Sequence, residues 1–128
     1  MTIDAMNHFT VLTDDLPATL KFYVDILGLK EGWRPPLKFP GSWLYVGDQA
    51  VLHIIGGATL PAGRAGVIDH MAFSARDLPA VTERLAAHDI RYDLRRQAGS
   101  GQWQLFCHDP NGARVELDFD PAETGTPT

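Results

Sequence analysis

The chain has 128 residues, 45% of them hydrophobic, with 16 acidic side chains against 11 basic ones and a formal net charge of −5. That length is one domain's worth of chain, and an acidic balance without a basic cluster argues against nucleic acid as a partner. A lone cysteine, Cys107, excludes an internal disulfide. No apolar run approaches the ~20 residues that cross a bilayer, and the first residues lack the basic-then-apolar order of a secretory signal, so a cytoplasmic protein is expected.

In chain order, residues 6–13 alternate as a strand should, with His8 near its start. Asp14 or Asp15 then offers an N-cap, and Pro17 falls in the first helical turn. Leu16, Leu20, Tyr23, Val24 and Leu27 recur at helical spacing until Gly28. Prolines at 35, 36 and 40 mark loop. Two strands follow, 42–46 and 50–55, joined by a Gly47-Asp48 turn. Residues 56–66, rich in glycine and alanine, read as a linker. A second strand-then-helix follows, with a strand over 68–75 and a helix capped by Asp77 that carries Leu78, Val81, Leu85 and Ala86. A short strand near Tyr92 and strands over 102–107 and 113–119 complete the set, the last two joined by the turn sequence Asp109-Pro110-Asn111-Gly112. The polar tail 121–128 is expected to fray.

The order repeats because the sequence repeats. His8, six residues, then Asp15-Leu16-Pro17-Ala18 returns as His70, six residues, then Asp77-Leu78-Pro79-Ala80, displaced by half the chain. An α+β fold of two βαβββ modules in tandem follows, the first over about 6–57 and the second over about 67–120. Neither half is large enough to bury a comfortable core alone, so the halves share a core or pair with another chain. Aligned on the repeat, His53 falls opposite Glu116.

Strand parity then sorts the side chains. His8 and Thr10 share one face of their strand, His70, Ala72 and Ser74 one face of theirs, and Arg114, Glu116 and Asp118 one face of the last. His8, His70 and Glu116 are therefore candidate metal ligands, since imidazole and carboxylate together suit zinc, iron, nickel or manganese. His53 is either a fourth ligand or a hydrogen-bonding neighbour of the ligands. His88 and His108, at a helix end and a turn, are set aside.

The phrases Asn7-His8-Phe9-Thr10-Val11, Phe22-Tyr23-Val24-Asp25-Ile26-Leu27-Gly28-Leu29, Asp69-His70-Met71-Ala72-Phe73 and Asp109-Pro110-Asn111-Gly112-Ala113-Arg114-Val115-Glu116 resemble the vicinal oxygen chelate superfamily. That superfamily includes glyoxalase I, bleomycin-resistance proteins, extradiol dioxygenases and fosfomycin-resistance thiol transferases. The resemblance implies cupped mixed sheets around one divalent metal, a small-molecule substrate bound through neighbouring oxygens, and a homodimer. The ligand positions it carries over are His8, His53, His70 and Glu116. Glyoxalase I usually has a carboxylate or glutamine where this chain has His53. Extradiol dioxygenases have a tyrosine at the place of Phe106. The fosfomycin enzymes are matched at Thr10 and Ser100, with Arg96 standing for a lysine and Phe106 for a tyrosine. A drug-sequestering protein of the same fold would instead line a groove with Trp33, Trp43, Tyr45, Trp103 and Phe106.

The lead expectation is a glyoxalase-like lyase or isomerase in which Glu116, with His53 opposite, moves the proton. Substrate contacts are expected from Thr10, Trp33, Trp43, Tyr45, Arg96, Ser100, Gln104 and Phe106. Four protein ligands on an octahedral ion leave two open positions, enough for a chelating substrate. If His53 is not a ligand, a third opens and ring-cleaving oxygenation becomes the better reading.

Overall fold

A computed structural model describes residues 2–128. The chain divides into two compact units, with the boundary between Ala62 and Gly63. Each is a four-stranded mixed sheet with one helical segment, as the α+β reading requires.

In the first unit the strands are β1 (Phe9–Leu12), β2 (Lys30–Gly32), β3 (Gly41–Val46) and β4 (Gln49–Ile55). Their order is β1-β4-β3-β2, with β1 and β4 parallel and the other neighbours antiparallel. The second unit repeats this with β5 (Met71–Ser74), β6 (Tyr92–Arg96), β7 (Trp103–His108) and β8 (Arg114–Phe119), ordered β5-β8-β7-β6. Again only the first and last strands run parallel. A parallel pair needs a long crossover, and in each unit the helix and two strands supply it.

The first helical segment departs from its expected periodicity. Helix α1 (Leu16–Leu20) is capped by the Asp15 carboxylate, which accepts from the Ala18 amide, but it continues as a π-helical turn over Lys21–Ile26. There the Leu27 amide reaches back five residues to the Phe22 carbonyl. The wider turn shifts the buried stripe to Thr19, Phe22, Tyr23 and Ile26, leaving Leu16, Leu20, Val24 and Leu27 only half-buried. Thr19 tolerates burial because its hydroxyl meets that of Thr13 at 2.9 Å and donates to the Asp15 carbonyl. Gly28 ends the segment at φ +90°, a conformation that penalises any side chain.

Helix α2 (Leu78–Ala87) is regular and buries Leu78, Val81 and Leu85, while Ala86 is exposed. The Glu123 carboxylate accepts from the amides of Asp77 and Leu78 at 3.0 and 2.6 Å. The Trp103 indole donates to the Glu123 carbonyl, and the Thr128 amide to the Leu94 carbonyl. These bonds oppose the fraying expected of 121–128. Between β7 and β8, Gly112 sits at φ +92° and its amide donates to the Asp109 carbonyl, closing the turn. Among the described residues no helix is long and apolar enough to cross a membrane.

In both sheets one face is core and the other open. Leu44, Leu52 and Ile54 are buried in the first unit; Leu94, Trp103, Leu105, Val115, Leu117 and Phe119 are buried in the second. The intervening residues of each strand, including the candidate ligands, point the other way.

Candidate metal centre

Parallel pairing of first and last strands sets the histidine that opens each unit beside one side chain of the unit's last strand. Thr10 is paired with His53, and Ala72 with Glu116. Thr10 and Ala72 hold the same place in the repeat, so His53 and Glu116 occupy equivalent positions.

In the second unit, His70 Nε2 lies 2.9 Å from Glu116 Oε2. The other ring nitrogen, Nδ1, donates to Asp69 Oδ2 at 2.7 Å, and that same oxygen accepts from Arg114 at 2.7 Å. The second oxygen of the buried Glu116 accepts from Gln104 Nε2 at 2.7 Å. Imidazole and carboxylate are thus each fixed by a neighbour, as metal-binding side chains usually are. The hydrogen bond to Asp69 raises the His70 pKa above the ordinary imidazole value, and the bonds from His70 and Arg114 lower that of Asp69. Asp118, two residues beyond Glu116 on the same face, is pushed up to about 6 by burial and then by the Glu116 charge.

In the first unit the pair meets differently. The rings of His8 and His53 stack with centroids 3.7 Å apart and planes 15° from parallel. Trp43, the register partner of His53 on β3, stacks on its far side at 3.9 Å and 9°. Trp33 stands edge-on to Trp43 at 5.9 Å, and Tyr45 donates its hydroxyl to the Trp33 carbonyl at 2.6 Å. His8 Nδ1 donates to the Asn7 side-chain oxygen at 2.6 Å. Burial, then the neighbouring His8, lowers the pKa of His53.

These donors fit a divalent ion. Because Nδ1 of His70 donates to Asp69, Nε2 is the nitrogen that meets the carboxylate. Protonated, it donates to Glu116 at 2.9 Å; neutral, it offers a lone pair that could hold a cation beside that carboxylate. Among the described residues no three His, Cys, Asp or Glu side chains form one metal-binding group; the donors occur as one pair in each unit.

The remaining expected contacts divide by face. Thr10, Trp43 and Tyr45 lie on the face of His53, with Trp33 just beyond β2, and Gln104 and Phe106 lie on the face of Glu116. Arg96 does not. Its register partner is Trp103, on the core face, where its guanidinium lies 4.0 Å from that ring centroid and donates to the carbonyls of Gly101 and Pro121. Trp103 is itself buried, so it lines no groove. Ser100 lies beyond β6 in a turn, with its hydroxyl on the Gln97 side chain. The preceding residue on the strand, Arg95, takes the open face instead, opposite Gln104. The orienting residues Asn7 and Asp69 carry a signal that sequence reading left unused: each immediately precedes the histidine of its repeat.

Residues 5–117 match the sequence profile of the Glyoxalase/Bleomycin resistance protein/Dioxygenase superfamily. The chain is 29% identical over 123 residues to Glyoxylase I 4 of Arabidopsis thaliana, across 90% of this chain and 70% of that protein. A glyoxalase family protein from Enterococcus faecalis superposes with a TM-score of 0.68 at 26% identity, covering 92% of this chain and 99% of that one. The fosfomycin resistance protein FosX from Listeria monocytogenes, in a mutant form complexed with Mn(II) and 1S,2S-dihydroxypropylphosphonic acid, shares the fold at a TM-score of 0.75 and 18% identity, over 93% and 94% of the two chains. The chain belongs to the glyoxalase/bleomycin resistance protein/dioxygenase superfamily.

Proposed function

We propose that this protein is a metal-dependent enzyme acting on a small molecule that chelates the ion through neighbouring oxygens, with glyoxalase-like lyase or isomerase chemistry. The observation that carries the reading is the His70–Glu116 pair, an imidazole nitrogen and a carboxylate oxygen 2.9 Å apart and each fixed from behind by Asp69 or Gln104. His8, His70 and Glu116 are the proposed ligands, joined by His53, for zinc, nickel, ferrous iron or manganese. The relatedness to a glyoxylase I and the fold shared with a Mn(II)-complexed protein support the choice of chemistry and of metal class.

A bound divalent ion supplies Lewis-acid polarisation of a substrate oxygen. The chain supplies the proton transfer. Glu116 is buried, so water competes little for it, and Gln104 holds its Oε1 while Oε2 stays beside His70. That oxygen takes a proton from one substrate carbon and returns it to the neighbouring carbon, a transfer that needs no oxidant. In the first unit Trp43 stacks on His53 and Trp33 stands edge-on to Trp43, an aromatic surface on the face that carries His53.

One observation favours a second reading. Stacked between His8 and Trp43, His53 holds its ring plane nearly parallel to that of His8, so the in-plane lone pairs of the two rings run side by side instead of converging. Three ligands and a neighbouring His53 would suit a ferrous ring-cleaving dioxygenase.

Metal analysis of protein purified without added metal, with His70→Ala and Glu116→Ala alongside, tests the ligands. The expected result is bound metal in the wild type and loss in both variants; full occupancy in both overturns the assignment. His53→Ala then separates the reactions. Lost metal and lost hemithioacetal turnover are expected, whereas unchanged metal affinity with oxygen uptake on a catechol establishes the dioxygenase.

A further inference from the structure

The open face of the second sheet carries a positive charge that its proposed metal ligands do not use. Phe106 lies on this face between its register partners Asp93 and Glu116, yet only 8% of it is exposed. Its cover is ionic. The guanidinium carbon of Arg114, on β8, lies 4.3 Å from the ring centroid, and that of Arg95, on β6, lies 4.6 Å away. The His70 ring meets Phe106 edge-on at 5.6 Å.

The two arginines differ in what else holds them. Arg114 is matched by Asp69 at 2.7 Å. The Arg95 side chain has no hydrogen bond or ion pair among the described residues, and its guanidinium carbon lies over an aromatic ring. Its neighbour Arg96 is held by two carbonyl acceptors on the other side of the sheet. A guanidinium that rests on a ring spends none of its N–H groups on hydrogen bonds there, and its N–H fork matches the paired oxygens of a carboxylate or phosphate. Arg114, beside the same ring, is held in its ion pair with Asp69, so Arg95 supplies the open charge.

We propose that Arg95, backed by Phe106 and Arg114, binds an oxyanion group of the substrate, a carboxylate or a phosphate or phosphonate. One ring, Phe106, separates this group from His70, so the substrate class is a small oxyacid whose anionic end sits on Arg95 and whose chelating oxygens reach His70 and Glu116. Only that second clause rests on the metal-dependent reading. Anion binding by Arg95 stands on the second unit alone.

Titration of the full chain with inorganic phosphate and, separately, with propionate tests this, followed by the arginine Nε–H signals in NMR. Both arms are run on protein as purified and again after dialysis against EDTA, with metal content measured in each sample. Saturable binding that survives EDTA is expected, and the tighter probe names the anion. Arg95→Gln should weaken it by about tenfold or more, and Arg95→Lys, which keeps the charge but not the planar fork, by an intermediate factor. Arg91→Gln removes the same charge from an exposed position just before β6 and should change affinity less than about twofold. Equal weakening in Arg95→Gln and Arg91→Gln, or no saturable binding of either probe by the wild type, overturns the proposal. Wild type that lacks metal yet binds phosphate through Arg95 defeats the metal reading alone; metal-loaded wild type that ignores both probes defeats the anion site alone.

Discussion

Asp69 shows how one carboxylate oxygen can organise a site. It accepts from His70 and from Arg114 at once, fixing the imidazole that faces Glu116 and tethering the guanidinium that covers Phe106. Asn7 does the same for His8 with a neutral amide. Because such partners set ring orientation and donor strength, Asp69→Asn should weaken metal binding by about 10–100-fold while the fold persists; competition against a chromogenic chelator measures this, and an unchanged affinity contradicts the role. Cys107 is the opposite kind of residue, buried on β7 with its thiol pushed up to about 12 by desolvation and then by Asp109. The native protein should resist a thiol reagent at pH 8 and yield one thiol in denaturant. A pKa raised above the ordinary thiol value favours the folded state below about pH 9, and this contribution is lost as pH rises toward 12. The denaturation midpoint should therefore fall more steeply above pH 9 in the wild type than in Cys107→Ala, and parallel curves would contradict the shift.

Among the elements, α2 was legible and the first helical segment was not, for reasons that lie in single residues. Asp77-Leu78-Pro79 announces a cap and a first turn, and Leu78, Val81 and Leu85 fill one face. In the first unit, Leu16, Leu20, Tyr23, Val24 and Leu27 satisfy helical spacing equally well, but the π-helical turn rotates Phe22 and Ile26 inward and buries Thr19. Nothing local in the sequence marks a buried threonine whose partner is another threonine six residues earlier. The candidate site divides in the same way. The repeat and strand parity single out His8, His70 and Glu116 as candidates, and His53 follows only from its equivalence to Glu116, whereas choosing Arg95 over Arg96 requires the register of β6 against β7. Glu123 was also illegible, since its capping of α2 depends on where the tail docks. It supplies a charged acceptor to two amides at the positive end of the helix. Glu123→Ala should cost about 1–2 kcal/mol, read as a lower urea midpoint with unchanged slope, and a midpoint within error of the wild type would show the cap to be idle.

At the scale of the whole molecule, the repeat leaves apolar side chains uncovered at matching places. Met6 and Ile68 are equivalent under the displacement of 62 that relates His8 to His70, and they are 62% and 68% exposed. Each lies two residues before its histidine and leads into β1 or β5, which are edge strands of their sheets. Ile3 and Leu12 in the first unit and Val67 in the second are exposed as well. Edge strands flanked by uncovered apolar residues invite pairing with another chain, and most soluble oligomers are symmetric assemblies of one chain. The expected state is a homodimer in which a second copy covers these residues. Burying a side chain of this size contributes about 1.5–3 kcal/mol, and each position occurs twice in a symmetric dimer, so Met6→Asp together with Ile68→Asp should shift the protein to monomers at micromolar concentration. Sedimentation equilibrium of both proteins decides the matter: a wild type that runs as a monomer while carrying bound metal, or a double variant that stays as dimeric as the wild type, would remove the second copy from this surface.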